Sequence, residues 1–280
     1  MRRFTRGEIL ERLNRTIKEG KPIIVSGAGC GLVAKCVELG GVDLILVVSM
    51  GKYRMMGLPS AAYIAGDSNA VTLELGKEVM LVVKNTPVIA GIMAADLTRR
   101  TESLLQECID IGFSGIMNCP TVWCDRGCRW RIQREDVNLG FNREVEMMKL
   151  AREMGLFTMA YVSDSEEARQ MAEAGVDVIA VHVGGTIGGL VGYSKKVQIP
   201  LEEAAKMTQE IISAAKAVNP NIIALCHGGR IVTPEDTQYM YNHTDAVGYI
   251  GASSIERIPV EKALINIVRQ FKSKTIKKST

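Results

Sequence analysis

Imidazoles are scarce in this 280-residue chain, and two of its three, His182 and His227, occupy matching places. Each ends an apolar run and is followed at once by glycines, as His182-Val-Gly-Gly185 and His227-Gly-Gly229. Imidazole titrates near neutrality, so a neighbouring pair can divide acid and base work, or bind a metal beside a carboxylate such as Asp96 or Asp164. Hydrogen bonding to loop backbone is the plainer role for either ring. Close by, Cys226-His227-Gly228-Gly229-Arg230 and Gly251-Ala252-Ser253-Ser254 end two consecutive apolar runs. Glycine lets backbone N–H groups approach an anion, and a helix opening at Ser253 would aim its free N–H groups the same way. That pattern makes Gly228, Gly229, Arg230, Gly251, Ser253 and Ser254 a candidate phosphate site. A capping box between Ser253 and Glu256 would explain part of it without a ligand.

Further candidates lie along the chain. The first apolar run ends Ser26-Gly27-Ala28-Gly29-Cys30-Gly31, which is not the dinucleotide fingerprint, and no ribose-binding acid closes the second run. A nicotinamide cofactor is therefore not expected. Gly27 and Gly29 would either let backbone approach a substrate oxygen or let a helix pack tightly on a strand. Arg54, with Lys52 as the alternative, suits a carboxylate or phosphate, and the guanidinium offers a bidentate fork. Asn118, at the end of the fourth run, would orient a substrate oxygen, and Asp67 reads as a helix cap. No lysine sits inside an apolar run, which disfavours Schiff-base chemistry. Cys119, Cys124 and Cys128 lie among both tryptophans and four arginines, without a standard zinc spacing. That segment reads as an arginine-bearing lid over an anionic ligand, or as a subunit interface.

Positioning these residues requires alternating strands and helices. Continuous apolar runs, as in a sheet covered on both faces, begin near Pro22, Asp43, Pro87, Ser114, Leu156, Asp177, Ile222 and Ala246. Each is followed by a helical pattern: Leu32–Leu39, Asn69–Lys84, Arg99–Ile111, Arg143–Met154, Ser165–Ala174, Leu201–Val218, Pro234–Asn242 and Val260–Lys272. A leading helix over residues 5–18 opens with a Thr5/Glu8 capping box. Eight such units in one domain spanning residues 1–280 predict an α/β fold, a (β/α)8 TIM barrel, with an open doubly wound sheet as the alternative. The extra length falls after strands two, four and six, as Met50–Gly66, Cys119–Phe141 and Gly184–Pro200. These loops share the C-terminal mouth, where barrel active sites lie.

Composition narrows the function. Lys and Arg number 34 against 31 Asp and Glu, a net charge of +3, too small to suggest a nucleic-acid partner. No apolar run nears the roughly 18 residues of a membrane span. Of seven cysteines, Cys30, Cys36, Cys108 and Cys226 sit within apolar patterns and read as buried free thiols, and the charged opening Met-Arg-Arg-Phe-Thr-Arg lacks a signal-peptide core, so a cytoplasmic protein is expected. A homo-oligomer is expected from the habit of barrel enzymes.

Taken in order, Gly27-Ala-Gly29, Gly51-Lys-Tyr-Arg-Met55, Gly66-Asp-Ser-Asn-Ala70, Gly112-Phe-Ser-Gly115, Asn118-x-Pro-Thr-Val122, Glu144-Val-Glu-Met147, Cys226-His-Gly-Gly229, Thr233-Pro-Glu-Asp236 and Gly251-Ala-Ser-Ser-Ile-Glu-Arg257 resemble the phosphoenolpyruvate hydrolase-like TIM-barrel family. This family is also labelled TIM-barrel signal transduction protein, and is similar to the C-terminal domain of a plant virus-resistance protein. The resemblance runs from about Pro22 to Ala263 and implies hydrolysis of phosphoenolpyruvate or phosphonopyruvate. The chain departs from the related mutase and lyase group in lacking an Asp-Asn-Gly-Tyr-Gly gating loop. Asp96 is the one acid standing where that group's metal machinery would need several. The expectation is then an enzyme on a small phosphorylated or phosphonylated carboxylate. His227 and His182 serve as acid and base, Asn118 and Asp96 orient water or an optional Mg²⁺, and Arg54 pairs with the carboxylate. The alternative is a non-catalytic barrel that senses a phosphate ligand or binds a partner. A third reading, from the glycine pairs after strands seven and eight, is an FMN barrel.

Overall fold

The computed structural model describes residues 3–122 and 128–277, so Trp123 and Cys124 of the expected lid lie outside the described residues. Eight parallel strands close into a barrel in chain order. They are β1 (Ile23–Gly27), β2 (Leu44–Val47), β3 (Val88–Gly91), β4 (Gly115–Met117), β5 (Phe157–Val162), β6 (Val178–His182), β7 (Ile223–His227) and β8 (Gly248–Gly251). Each begins within two residues of its expected start. Side chains alternate between the two faces, and the apolar residues accordingly divide into two clusters. Val25, Leu46, Ile89, Met117, Met159, Ala180, Leu225 and Ile250 fill the barrel, while Ile45, Ala90, Ile116, Ile179 and Ala224 face the surrounding helices.

The helices are α1 (Arg6–Lys18), α2 (Gly31–Leu39), α3 (Ser49–Met55), α4 (Ser68–Met80), α5 (Thr101–Ile111), α6 (Arg129–Asp136), α7 (Phe141–Glu153), α8 (Ser165–Glu173), α9 (Leu201–Val218), α10 (Pro234–His243) and α11 (Ile258–Lys272). The Thr5/Glu8 capping box forms on α1, as expected. Ile9 and Leu13 of α1 are fully buried and join the cluster inside the barrel. Arg6 chelates Asp177 at 2.7–3.1 Å, the Thr16 hydroxyl donates to Asp43 at 2.9 Å, and Arg12 donates to the Asn85 carbonyl at 2.8 Å. These bonds fasten α1 across the end of the barrel away from the mouth.

Two of the long connections contain helices that periodicity did not announce. The segment Ser49–Met55 has a glycine and two basic residues and no clear apolar stripe, yet it coils because its neighbours complete it. The Ser49 amide donates to Thr72 Oγ1 at 3.0 Å, the Ser49 and Ser68 hydroxyls meet at 2.6 Å, and Gly51 packs against Gly29. A Cβ on Gly29 would lie 2.1 Å from the Gly51 carbonyl oxygen. Gly29 is thus required for close packing of the β1 turn on α3. Gly29→Ala should destabilise by about 1–3 kcal/mol through overpacking. Gly7→Ala, with open space around it on α1, should not. Thermal unfolding of the two variants checks the contrast. The other unannounced helix, α6, is held by Arg131, buried and paired with Glu167 of α8 at 2.6 Å. Among the described residues no helix is long and apolar enough to cross a membrane.

Candidate functional site

A cavity of about 120 Å³ opens at the C-terminal mouth, lined among others by Arg54, Ser60, Tyr161, His182, His227 and Ser253. β6 and β7 pair in register with His182 opposite His227, so two strand-end histidines become neighbours as the spacing implied. Tyr161, from the end of β5, completes a group of three rings. Its centroid lies 5.1 Å from that of His182 and 4.8 Å from that of His227, and the two imidazoles are 5.1 Å apart.

The two histidines take opposite tautomers when neutral. His227 Nδ1 lies 2.8 Å from the Ile250 carbonyl and must donate to it, which makes Nε2 the acceptor. His182 Nδ1 accepts from the Gly184 amide at 3.3 Å, which puts its proton on Nε2. Burial pushes the His227 pKa down to about 4, opposed by the Ile250 carbonyl and aided by the nearby Arg54 charge. Burial, with the neighbouring His227, takes His182 down to about 3. Both rings are neutral at pH 7, one a base and the other a donor. The unfolded chain takes up these protons near pH 6.5, but the folded one only near 3–4. Unfolding is therefore favoured as pH falls through that window, and the effect levels off below it. Replacing both histidines with glutamine should flatten stability between about pH 6.5 and 4 relative to wild type, as read by urea denaturation at stepped pH.

Arg54, on α3, is positioned by residues remote in sequence. Its Nε donates to Glu256 Oε1 at 2.5 Å, its Nη2 pairs with the same oxygen, and its Nη1 donates to Ser60 at 3.0 Å. The side chains of Arg54 and Glu256 are 3% and 0% exposed, so the pair is fully desolvated. Glu256 stands in a π-helical turn, Ser253–Arg257, between β8 and α11. Its carboxylate therefore does not cap Ser253. Instead, its amide bonds the Ala252 carbonyl at 2.8 Å and its carboxylate packs under Gly27, where a Cβ would lie 3.0 Å from Oε1. Close approach is the role of Gly27 here.

The other candidates fall outside the cavity wall. Gly228 and Gly229 have positive φ, and they let the loop after β7 close on the loop after β6. The Gly229 amide donates to the Gly184 carbonyl at 2.8 Å, and a Cβ on Gly228 would lie 2.0 Å from that oxygen. The amide of Gly229 is thus spent within the fold. Arg230 donates to the Lys195 carbonyl at 3.2 Å, Gly251 accommodates Ile255, and the Ser254 hydroxyl meets the Tyr249 phenol at 2.8 Å. Asp96 accepts from Asn69, Thr98 and Arg99, bonds that hold it well below the usual carboxylate range against its partial burial. Asn118 clamps β5, accepting from the Tyr161 amide at 2.7 Å and donating to its carbonyl at 3.1 Å. It also donates at 2.5 Å to Glu144, a wholly buried carboxyl on α7 that further accepts from Thr121 and the Val122 amide. Burial raises the Glu144 pKa to about 8 in spite of those donors. Glu144→Ala would strand three donors, and a loss of roughly 2–4 kcal/mol is expected on thermal unfolding. Asp67 caps α4, as expected.

Among the described residues the lining carries no carboxylate, and no cluster of three His, Cys, Asp or Glu side chains could hold a metal. This donor set does not fit Mg²⁺, which takes hard carboxylate and water oxygens.

Sequence and structure comparisons agree with this architecture. The chain is 44% identical over 268 residues to the ToMV susceptible protein tm-1(GCR26) of Solanum lycopersicum and 43% identical to the ToMV resistance protein Tm-1(GCR237) of the same plant. The match covers 95% of this chain and 35% of each relative, so the chain spans about a third of their length. A phosphonopyruvate hydrolase, solved in complex with oxalate and Mg²⁺, has the same fold at a TM-score of 0.59 and 16% identity. That likeness covers 94% of this chain and 84% of the hydrolase. The model of the phosphoenolpyruvate hydrolase-like family matches residues 8–274, and to that family this chain belongs.

Proposed function

We propose that the protein hydrolyses a small phosphorylated or phosphonylated carboxylate of the phosphoenolpyruvate or phosphonopyruvate type within the mouth cavity. The observation that carries the reading is the Tyr161–His182–His227 ring group, with one imidazole fixed as acceptor and the other as donor. The anion lies against Arg54, Ser60 and Ser253. Water gives a proton to His227 Nε2 as its oxygen bonds to phosphorus. The P–C or P–O bond breaks, its electron pair leaves with the enolate, and the proton held by the His227 imidazolium passes to the enolate, directly or by relay through His182 or the Tyr161 hydroxyl, which regain in turn the proton they give. The products are phosphate and pyruvate. Keeping both rings neutral suits this division, because His227 is available as a base well below neutral pH. No step is routed through a metal.

The test is incubation with phosphoenolpyruvate and with phosphonopyruvate, in Mg²⁺ and in chelator, followed by ³¹P NMR. Phosphate release that disappears in His227→Ala supports the hydrolase. A second reading, a ligand-sensing barrel without turnover, is favoured by the compensated charge of the cavity, where Glu256 neutralises Arg54. Resonances broadened by binding, with no release, would move the assignment there. The protein is further proposed to work in the cytoplasm, with no nucleic-acid or membrane partner.

A further inference from the structure

The wall of the mouth cavity is divided, and the strand order sets where each part stands. In a closed barrel of eight, a strand faces the one four places on, so β2 lies across from β6 and β4 across from β8. The groups suited to proton transfer or to an anion come from β5 to β8. They are Tyr161, His182, His227 and Ser253, with Arg54 drawn to that side by Glu256. The facing arc is apolar: Leu46 of β2, Val48 and Met50 just beyond it, and Cys119 beyond β4. All four pack in the cluster that fills the barrel. Burial pushes the Cys119 thiol up to about 12, so it carries no charge at neutral pH. The Thr121 hydroxyl, on the same side, is spent on Glu144 at 2.8 Å. Among the described residues of the lining, Arg54 is the one permanent charge, and Glu256 neutralises it.

We propose that this cavity takes a small organic anion with an aliphatic body, which on the hydrolytic reading above is a phosphoenolpyruvate or phosphonopyruvate substituted on C3. Unsubstituted phosphoenolpyruvate is two anionic groups on a two-carbon enol, and it would leave the β2 arc wetted. An aliphatic group laid on Leu46, Val48 and Met50 releases that water, which is favourable in proportion to the apolar area covered. The anionic end then keeps Arg54 and Ser253, and the substituent points across the barrel. The bond changes stay the same: the oxygen of water joins phosphorus, the P–O or P–C bond breaks, and C3 takes the proton. The products are phosphate and a longer 2-oxo acid in place of pyruvate. Leu46, Val48 and Met50 are thus specificity-determining residues, and the rings opposite are indifferent to the substituent.

The experiment is a ligand-observed NMR titration of the full chain with pyruvate and with 4-methyl-2-oxopentanoate, which differ only by an isopropyl group on C3. The branched acid is expected to bind at least about 10-fold more tightly, the discrimination that added methylenes supply in a hydrophobic pocket. Met50→Gln keeps the length of the side chain and Val48→Thr its branching, and each should bring the ratio of affinities toward one. Far-UV circular dichroism verifies that both variants fold. Phosphate release from phosphoenolpyruvate and from its C3-isopropyl analogue is followed in parallel by ³¹P NMR. A higher kcat/KM for the analogue supports both the preference and the hydrolase. Tighter binding of the branched acid, with no phosphate released from either compound, overturns the hydrolase and leaves the apolar subsite standing. Equal affinity for the two acids, a branched acid that does not bind, a ratio unmoved in both variants, or faster hydrolysis of the unsubstituted compound would each overturn the preference.

Discussion

On the proposed function, replacing His227 with alanine is expected to lower turnover of a phosphorylated or phosphonylated carboxylate by about 10²–10⁴-fold, the usual worth of a positioned general base. The expectation follows from the ring's two bonds. With Nδ1 committed to the Ile250 carbonyl, Nε2 is left as an acceptor in the wall of a cavity otherwise furnished with donors. His227→Gln should be nearly as slow, since an amide keeps a bond to the carbonyl but accepts no proton. A pH profile distinguishes a base from a merely structural ring. The acid limb of kcat/KM should fall near pH 4 and not near the ordinary 6.5. Rates unchanged in both variants would remove His227 from the chemistry, and an acid limb at the ordinary value would mean that water reaches the ring freely.

The largest effect on stability is expected at Glu256. Glu256→Ala leaves the Arg54 guanidinium buried without its counter-charge, and breaking one side of such a pair costs about 3–5 kcal/mol. In a chain of this length each kcal/mol is worth some 2–4 °C of Tm, so a fall of roughly 6–20 °C should appear by calorimetry. The double variant Arg54→Met/Glu256→Leu removes both charges together and should regain most of that loss while abolishing binding of the proposed anionic substrate. The pair then costs folding little or nothing net, and its retention is explained by the cation it fixes at the cavity. A double variant as unstable as Glu256→Ala would contradict that account.

The strands and most helices were legible because their signals are local. Runs such as Leu44–Val47 and Val178–His182 are continuous and apolar since both faces are covered, and the capping residues Thr5 and Asp67 stand beside the amides they satisfy. The histidine pair was legible too, because equal strand-end positions in consecutive strands become neighbours. What escaped is non-local. Arg54 and Glu256 are 202 positions apart, and Asn118 meets β5 across 43. Tyr161 reads as one more apolar residue of a strand until the curvature of the barrel brings it to the histidines. Gly228 and Gly229, after β7, read in the sequence as part of an anion cradle with Gly251, yet in the fold they close on the loop after β6. Their spacing equally serves two loops that continue pairing past the strand ends, and no local rule separates the two uses. α3 and α6 lacked a stripe because their stability is borrowed from the residues they dock against.

The seating of α1 has a kinetic consequence. With Ile9 and Leu13 packed inside the far end of the barrel and Arg6 tied to Asp177, the mouth is the cavity's doorway to solvent. A substrate and its product would compete for the same site, lined by Arg54, His182 and His227, and would use the same passage in turn. Occupancy by the spent molecule therefore blocks the next arrival. Each product should act as a competitive inhibitor, and at saturation the rate of departure through the mouth sets an upper bound on turnover however fast the chemistry runs.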